Sequence, residues 1–450
     1  MPPVLQAEEE QVEIASVFKR QDEVELVVNE TSRLTSNSPA EIALRVGVNE
    51  SGLSLHDALT IAVLCGGTLS AKMGVSCVAP FFPEEAEKKG QSRAAIGLIF
   101  SSFAGAIFLS TPLIGAWMPV LGVKNLCVGG LFMNGVACIL FGLLPLCPTG
   151  VWFFWPALLI RLLEGLGVAA LVTSATTFLA SSFPSRCNRL VGLMSMCAGL
   201  SCCLGPAVGG TLREWGGFHL PFVVLGLSTS AHGVAGVVLL GRSESMELVS
   251  FAKMWALLRL PVILLPVCSA ALAAVTFWVV EPLLEPHVRQ LDVGSMVVVA
   301  LFVVLAMSYT FSAIGMGFAV DRTKKPQALM AMGALLGAIA LPLLGPAPPL
   351  SDLMRKSVGS IAAGLTVMGV ACAALYIPAF QATAAIAKSH GYDDDSLIKC
   401  GVISGIYHTS FSFGGFIAPI LGGISSDHLG FDWTTTLAAG LHVSLVARTN

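Results

Sequence analysis

Charged residues are scarce in this chain. Asp, Glu, Lys and Arg make up 12% of its 450 residues, about half of the roughly 25% found in soluble proteins. Apolar residues make up 55%, and the mean hydropathy is +0.79. The formal net charge is only −3 and no run of Lys and Arg occurs, which excludes a nucleic-acid partner. This composition indicates a protein embedded in a lipid bilayer.

The sequence also lacks the usual signatures of metal sites and catalytic sites. Its 12 cysteines are scattered mostly through apolar segments, with no Cys-x-x-Cys pair and no Cys/His cluster. They are therefore interpreted as small packing residues. No Ser/His/Asp order, metal-ligand spacing or phosphate-binding loop has a suitable placement. We expect no metal, no cofactor and no enzymatic activity.

Long apolar runs are missing from residues 1–56, which are acidic and polar. Such a composition predicts a disordered tail. The tail has no basic start followed by an apolar core and a small-residue cleavage site, so no cleaved secretory signal is expected. Asn29 and Asn49 begin glycosylation patterns that would matter only if the tail faced a lumen.

The rest of the chain is rich in segments long enough to cross a membrane. With about 20 apolar residues per crossing, twelve spans are predicted in two groups of six, separated by a cytosolic linker at 242–260. The first group, residues 57–241, has spans near 57–83, 94–116, 123–146, 151–180, 188–212 and 219–241. The second group, residues 261–450, has spans near 261–284, 296–319, 327–345, 357–382, 397–423 and 431–447.

Lysine and arginine in the connecting segments predict the orientation, because cytosolic loops carry more of them. Connecting segments on one side of the membrane, counted with the linker, contain more of these residues: Lys124, Arg186, Arg189, Arg242, Lys253, Arg259, Arg322, Lys324, Lys325, Lys388 and Lys399. The tail, on the same side, adds Lys19, Arg20, Arg33 and Arg45. The opposite set holds Lys88, Lys89, Arg93, Arg213, Arg289, Arg355 and Lys356. Both termini are therefore predicted to be cytosolic, and the opposite side is called lumenal below.

The two groups of spans echo each other in sequence. Matching features recur in the same order: Pro80 with Pro282, Gly115 with Gly317, and residues 205–210 with 418–423. Such an internal repeat is typical of secondary transporters. The sequence thus predicts a duplicated six-helix unit.

The fourth span carries charges in its middle. Residues 151–171 are apolar but include Arg161 and Glu164. A charge at that depth costs about 2.5–3.5 kcal/mol on insertion scales, so it normally faces a protein interior or a wet cavity and has a function there. The spacing puts both on one helix face, where they can partly neutralise each other. Gly165 and Gly167 let another helix approach the adjoining surface.

Three motifs resemble those of the major facilitator superfamily. Gly317-Phe-Ala-Val-Asp321-Arg322-Thr-Lys324-Lys325, expected in the loop after the eighth span, resembles its GxxxDRxxRK signature. There Asp321 can cap a helix N-terminus while the bases lie on the cytosolic surface. The resemblance implies that Asp321 and Arg322 take part in conformational gating; a short charged loop arising by chance is the alternative.

The other two motifs lie within spans. Residues 161–167 resemble the superfamily's fourth-helix RxxxGxG motif, which the family associates with proton coupling. Gly205-Pro206-Ala-Val-Gly209-Gly210 resembles the fifth-helix motif of its antiporter branch, where the glycines permit tight helix contact and the proline leaves a bend point. A plain packing motif is the alternative for the glycines.

Longer stretches are similar to the vesicular amine transporter family, and within it to the vesicular polyamine transporter branch. They lie at 80–90, 96–100, 390–392, 402–405 and 419–433, and the similarity extends over about residues 57–440. The resemblance implies proton-driven antiport of spermine and spermidine into secretory vesicles.

Glu281 is the first candidate for binding substrate and protons. The pair Glu281-Pro282 matches an acidic residue followed by proline in the seventh span of the family. A carboxylate at a proline break can hold a cation when ionised and a proton when neutral. The alternative is an acid at a helix end that reaches lumenal water. Glu164 is the second candidate, although it could be only the local partner of Arg161.

Two departures from the family pattern concern the substrate. Monoamine transporters of the family carry aspartates where this chain aligns Ala71 and Ala373, so a monoamine substrate is disfavoured. Lys72 places an ammonium in the first span, where it would repel a polycation unless a carboxylate neutralises it. Together with Arg161, it could also tune the ionisation of Glu281 and Glu164. Alternatively, Lys72 could be neutral or bind an anionic part of another solute. Tyr376 offers an aromatic face that suits ammonium groups.

These observations predict an all-α membrane protein with the major facilitator fold, twelve spans in two pseudo-symmetric bundles. The predicted function is proton-coupled antiport of organic cations by alternating access, in the membrane of a secretory vesicle, another acidic organelle or the plasma membrane. Its partners would be the cation, protons and the bilayer. A drug-type or other-solute antiporter of the same architecture, or a non-transporting membrane receptor or scaffold, remain as alternatives.

Overall fold

The computed structural model describes residues 54–183, 187–241, 258–347, 357–390 and 396–449. These residues are almost entirely helical and contain no strand. Helices of the first half are α1 (Leu55–Ser76), α2 (Val78–Lys88), α3 (Arg93–Leu121), α4 (Val123–Gly142), α5 (Val151–Ser182), α6 (Cys187–Gly216) and α7 (His219–Leu239). Helices of the second half are α8 (Leu264–Arg289), α9 (Ser295–Thr323), α10 (Pro326–Leu344), α11 (Val358–Ser389), α12 (Ser396–Leu429) and α13 (Phe431–Thr449).

Each of the twelve predicted spans coincides with one of these helices, except that α1 and α2 share the first span. The two are joined at Cys77, whose φ of −68° and ψ of −20° are helical. Among the described residues, nine segments are long and apolar enough to cross a membrane. Helices α6, α12 and α13 are not among the nine but pack with the others. The all-helical membrane architecture is thus confirmed.

Several helices are longer than the predicted spans. Helix α9 continues to Thr323, so Asp321 and Arg322 lie in its last turn and the predicted loop there is wrong. Nothing in Gly317–Thr323 breaks a helix. The chain turns only at Lys324, which adopts a left-handed φ of 53°, and Pro326 then begins α10. The hydropathy pattern placed the end of this helix too early, because the helix extends past the apolar stretch into polar residues.

Contacts between helices hold each half together and join the two halves. Helix α4 packs on α5 and α7 in the first half, and α10 packs on α11 and α13 in the second. Contacts between the halves run mainly through α3 with α12, α6 with α9, and α2 with α8. The predicted tail and linker fall almost wholly outside the described residues, and the division into 57–241 and 261–450 stays a prediction.

The glycines after Glu164 allow close helix packing, as expected. A Cβ on Gly165 would lie 2.5 Å from the carbonyl oxygen of Phe103 in α3. A Cβ on Gly167 would lie 2.8 Å from the backbone nitrogen of Asn134 in α4. Helix α5 is therefore held between two neighbours at backbone distance, and this packing fixes the position of the charged pair one turn earlier.

Candidate functional site

Arg161 and Glu164 form a buried ion pair on α5. The Arg161 Nη1 and Glu164 Oε2 atoms lie 2.5 Å apart, and each residue is 1% exposed. The two charges are one turn apart on the same helix face, as their spacing predicts. Neither side chain faces lipid headgroups or bulk water. Because a buried charge without a partner is strongly destabilising, each of the two is needed by the other.

Aromatic rings complete the surroundings of Arg161. Its guanidinium carbon lies 4.4 Å from the ring centre of Phe103 and 5.9 Å from those of Phe100 and Phe141. Such ring faces attract a cation. The Nε atom of Arg161 has no hydrogen-bond partner among the described residues. The guanidinium thus retains a donor after its pairing with Glu164.

Glu281 lies on α8 in the second half of the chain and is half-buried. Its Oε2 atom is buried and has no hydrogen-bond partner in the part of the chain that the structure describes. The positive charge of Arg161 acts on it electrostatically. Helix α8 continues through the buried Pro282 to Arg289, although a proline supplies no backbone donor to the helix. Glu281 therefore offers an unsatisfied carboxylate oxygen near the charges of α5.

Lys72 is half-buried on α1. Its ammonium interacts electrostatically with Glu164 and with the thiol of Cys202 on α6. It makes no ion pair or hydrogen bond with any residue that the structure describes. The region between α1, α5, α6 and α8 thus combines the ion pair of Arg161 and Glu164 with the cation of Lys72 and the anion of Glu281. Neither of these last two groups has a hydrogen-bond partner among the described residues.

Tyr376 belongs to an aromatic cluster in the second half. Its ring stacks on Tyr407 with centres 4.1 Å apart and meets Phe411 at 4.8 Å. The hydroxyl of Tyr407 donates to the backbone oxygen of Tyr376 at 2.9 Å. Sequence reasoning missed Tyr407 and Phe411. Their spacing of four residues in α12, which puts both on one face, and the presence of only 4 tyrosines in the chain were the available signals.

The glycine motif of α6 faces two different neighbours. A Cβ on Gly205 would collide with Ser76 Oγ, and one on Gly209 would lie 2.5 Å from Cys77 Sγ, so both glycines pack on the first span. Gly210 instead faces the second half, where a Cβ would lie 3.1 Å from Val299 of α9. The buried Pro206 lies inside the helix. The motif therefore lies where α6 touches both its own half and the other.

The two charged gating candidates differ in what can be said of them. Arg322 is exposed in the last turn of α9. The side chain of Asp321 lies outside the described residues. Its predicted cap on a neighbouring helix therefore stays a prediction.

Most of the chain matches a known family. The family model for the Major Facilitator Superfamily matches residues 64–392. The chain belongs to this superfamily. As a superfamily member it is a multi-pass membrane transporter rather than an enzyme, and its partners include a small-molecule substrate and the bilayer.

Curated relatives of this transporter point to one branch of the superfamily. The human protein "MFS-type transporter SLC18B1" is 30% identical over 395 residues, which is 87% of this chain and 85% of the relative. The mouse protein of the same name is 29% identical over 410 residues, 87% of each chain. A zebrafish "Probable vesicular acetylcholine transporter-B" is 27% identical over 186 residues, 39% of this chain and 36% of the relative. The predicted membership of the vesicular amine transporter family is thereby confirmed.

Solved structures agree with the fold. A bacterial homologue of the human lysosomal transporter Spinster, in an inward-facing and occupied conformation, has a TM-score of 0.69 at 14% identity, covering 88% of this chain and 97% of that one. The nucleoside transporter NupG has a TM-score of 0.66 at 11% identity, covering 87% and 98%. At such identities the likeness concerns the fold alone.

Proposed function

We propose that this transporter is a proton-coupled antiporter that moves organic cations, with polyamines such as spermine and spermidine as cargo, across the membrane of an acidic vesicle. The observation that carries the proposal is the buried Oε2 atom of Glu281, which has no hydrogen-bond partner among the residues that the structure describes. An unsatisfied carboxylate oxygen inside a membrane protein is costly. A bound cation or a proton would satisfy it, and only one of the two is needed at a time.

Competition for the same oxygen couples the two fluxes. Ionised Glu281 holds the ammonium of the cargo, and protonated Glu281 releases it. Protons from an acidic lumen therefore discharge the cargo there, and loss of the proton to the cytosol restores the binding charge. Glu164 and Arg161 contribute their charges to the same region, and the positive charge of Arg161 acts on Glu281.

The driving force is large enough for accumulation. One pH unit supplies about 1.4 kcal/mol for each proton, and a membrane potential supplies about 2.3 kcal/mol per net charge per 100 mV. Exchange of more than one proton for each organic cation would make concentration into an acidic vesicle favourable.

Two features support an amine cargo. The similarity to the polyamine branch of the family extends over most of the chain. The stacked rings of Tyr376 and Tyr407, with Phe411 beside them, offer faces to ammonium groups and to the CH2 spacers between them. A location in a vesicle membrane follows from the same resemblance.

The proposal is tested by uptake into proteoliposomes with an imposed pH gradient. Labelled spermidine is compared with a lipophilic cation and an organic anion. We expect spermidine uptake that collapses with the gradient, and its loss in the Glu281→Gln variant. The matched control is Glu214→Gln, which changes an exposed carboxylate on α6.

Three results would count against the proposal. Normal gradient-driven uptake by Glu281→Gln would remove Glu281 from the mechanism. Gradient-driven uptake of the lipophilic cation or the anion, with no uptake of spermidine, would show that the substrate is not a polyamine. Specific binding without any flux would favour a receptor.

A drug-type proton antiporter is the second candidate. A specific feature favours it, since the ammonium of Lys72, which has no partner in the described part of the chain, opposes a cargo of several positive charges. In addition, "Multidrug resistance protein 2" of Bacillus subtilis is 24% identical over 197 residues, 43% of this chain and 47% of that protein. The lipophilic-cation arm of the uptake experiment separates this candidate from the first.

A further inference from the structure

A second set of polar contacts lies away from the charged centre, where the two halves meet at the end assigned to the lumen. Helix α3 begins there at Arg93, and α12 approaches its end at Leu429. The carboxylate of Asp427 accepts from the backbone nitrogen of Arg93 at 3.1 Å through Oδ1. It accepts from that of Ala94 at 2.8 Å through Oδ2. A residue of the second half therefore caps a helix of the first.

This cap is added to one that α3 already supplies. The first backbone N–H groups of a helix have no partner within the helix, and negative charge is stabilised at that end. Ser92 accepts from the backbone nitrogen of Ala95 at 3.2 Å, which is the ordinary local cap. Asp427 satisfies the two preceding N–H groups from outside. Arg93 also reaches back, with Nη1 donating to Ser426 Oγ at 3.1 Å.

Glycines bring the two backbones close enough for this contact. A Cβ on Gly97, one turn after Arg93, would collide with the carbonyl oxygen of Pro419. A Cβ on Gly423, one turn before Asp427, would collide with the carbonyl oxygen of Arg93. Any separation of the halves at this end must break these contacts and uncover the two N–H groups.

A second link joins the halves at the same end. Arg289, near the end of α8, donates to Glu87 of α2 at 2.8 Å and pairs with Glu285 of its own helix at 3.0 Å. Glu285 is buried, with 4% of its surface exposed. Arg289 thus ties a buried acid of one half to a carboxylate of the other.

We propose that the cap by Asp427 on α3, with the bridge from Arg289 to Glu87, is the latch that keeps the lumenal end closed. This inference rests on the proposed transport by alternating access, in which the lumenal end opens to release cargo. The latch stabilises the closed arrangement, and its release uncovers charged groups and helix N–H groups to water. Asp427 therefore sets the ratio of lumen-open to lumen-closed molecules without touching the substrate.

The test measures the distance between the halves in the full-length protein. Genetically encoded spin labels at Leu146 and Gln290, one in each half, avoid labelling the 12 cysteines. Leu146 and Gln290 are both exposed. Pulsed electron paramagnetic resonance gives the distribution of distances between the two labels in wild type, Asp427→Ala, Asp427→Asn and Arg289→Gln. The control is Asp292→Asn, since Asp292 is an exposed carboxylate between α8 and α9.

We expect Asp427→Ala to shift the population toward the longer distance, with the open-to-closed ratio rising about fivefold, the usual effect of losing one cap. Asp427→Asn keeps one acceptor oxygen and should shift it less, and Asp292→Asn should not shift it. A lowered melting temperature of Asp427→Ala with an unchanged distance distribution would overturn the latch and leave only a local cap. The measurement needs no substrate, so a failure of spermidine uptake would overturn the proposed function and not the latch.

Discussion

Single residues in this transporter differ in whether their charge is already compensated. Arg161 and Glu164 form an ion pair at 2.5 Å. Among the described residues, Glu281 keeps a carboxylate oxygen without a hydrogen-bond partner, and Lys72 an ammonium without one. A closed pair contributes to the fold and to the local field. The groups without such a partner are the ones that we propose for contact with a ligand or a proton.

Glu164→Gln is expected to destabilise the protein by about 3–5 kcal/mol, because it leaves the buried Arg161 without its carboxylate. The double variant Arg161→Met with Glu164→Gln removes both charges and should be more stable than the single variant. Thermal unfolding of the purified protein in detergent measures both. Equal melting temperatures for wild type and Glu164→Gln would contradict a buried, mutually dependent pair.

Lys72→Gln is expected to lower the KM for spermidine about tenfold, which corresponds to ~1.4 kcal/mol of repulsion removed from the site. The concentration dependence of proteoliposome uptake measures it, with Lys388→Gln as the control because Lys388 is exposed at the end of α11. A higher KM in Lys72→Gln would mean that Lys72 attracts the substrate. That result would point to a solute with an anionic group.

Glycines, which have no side chain, position the helices of this fold as much as apolar side chains do. Gly165 and Gly167 bring α5 against α3 and α4, and Gly210 brings α6 against α9. Gly115, in contrast, has no atom of a described residue within 4 Å of the place where a Cβ would lie. Glycines in apolar spans therefore divide into packing positions and open positions, and only the neighbouring helices decide which is which.

Gly165→Ala is expected to destabilise the protein by about 1–3 kcal/mol, the usual effect of overpacking. The added methyl group would meet backbone and side-chain atoms of α3 at 2.5–2.8 Å. Gly115→Ala is the matched control in α3 and should be neutral or slightly stabilising, because alanine has the higher helix propensity. Melting temperatures compare the two, and equal losses would show that helix α5 can shift to make room.

The predicted orientation of the whole molecule rests on charges outside its apolar spans. The loops predicted to be cytosolic are richer in Lys and Arg, and the predicted lumenal end carries the contacts of Asp427 and Arg289 between the halves. The predicted orientation determines on which side the proposed cargo would be taken up. It also decides which end the proposed latch closes.

If the orientation is right, Asn29 and Asn49 stay unmodified although both begin glycosylation patterns, because the tail never meets the lumenal enzymes. Expression in a eukaryotic cell followed by glycosidase treatment measures this as a shift on a gel. A glycosidase-sensitive shift lost in Asn29→Gln with Asn49→Gln would reverse the orientation. A glycosylation pattern inserted after Cys147, in a predicted lumenal loop, is the positive control.

The sequence was sufficient for the helical membrane fold because hydropathy is local: about 20 consecutive apolar residues have no other stable arrangement in a bilayer than a helix. The charges of Arg161 and Glu164 were visible for the same reason, since their cost depends on depth and their spacing on helix geometry. Motif resemblance added the superfamily. The ends of helices were harder to predict from the sequence, as α9 shows, because a helix can continue beyond the apolar stretch.

What only the tertiary structure decided is which residues from distant parts of the chain meet. Asp427 and Arg93 are separated by more than 300 residues, and no periodicity in either segment indicates that one caps the other. The same holds for Arg289 with Glu87 and for Tyr407 under Tyr376. Local propensity and hydropathy determine that each helix exists. Contacts between helices depend on how all of them pack at once, and therefore cannot be read from any one segment.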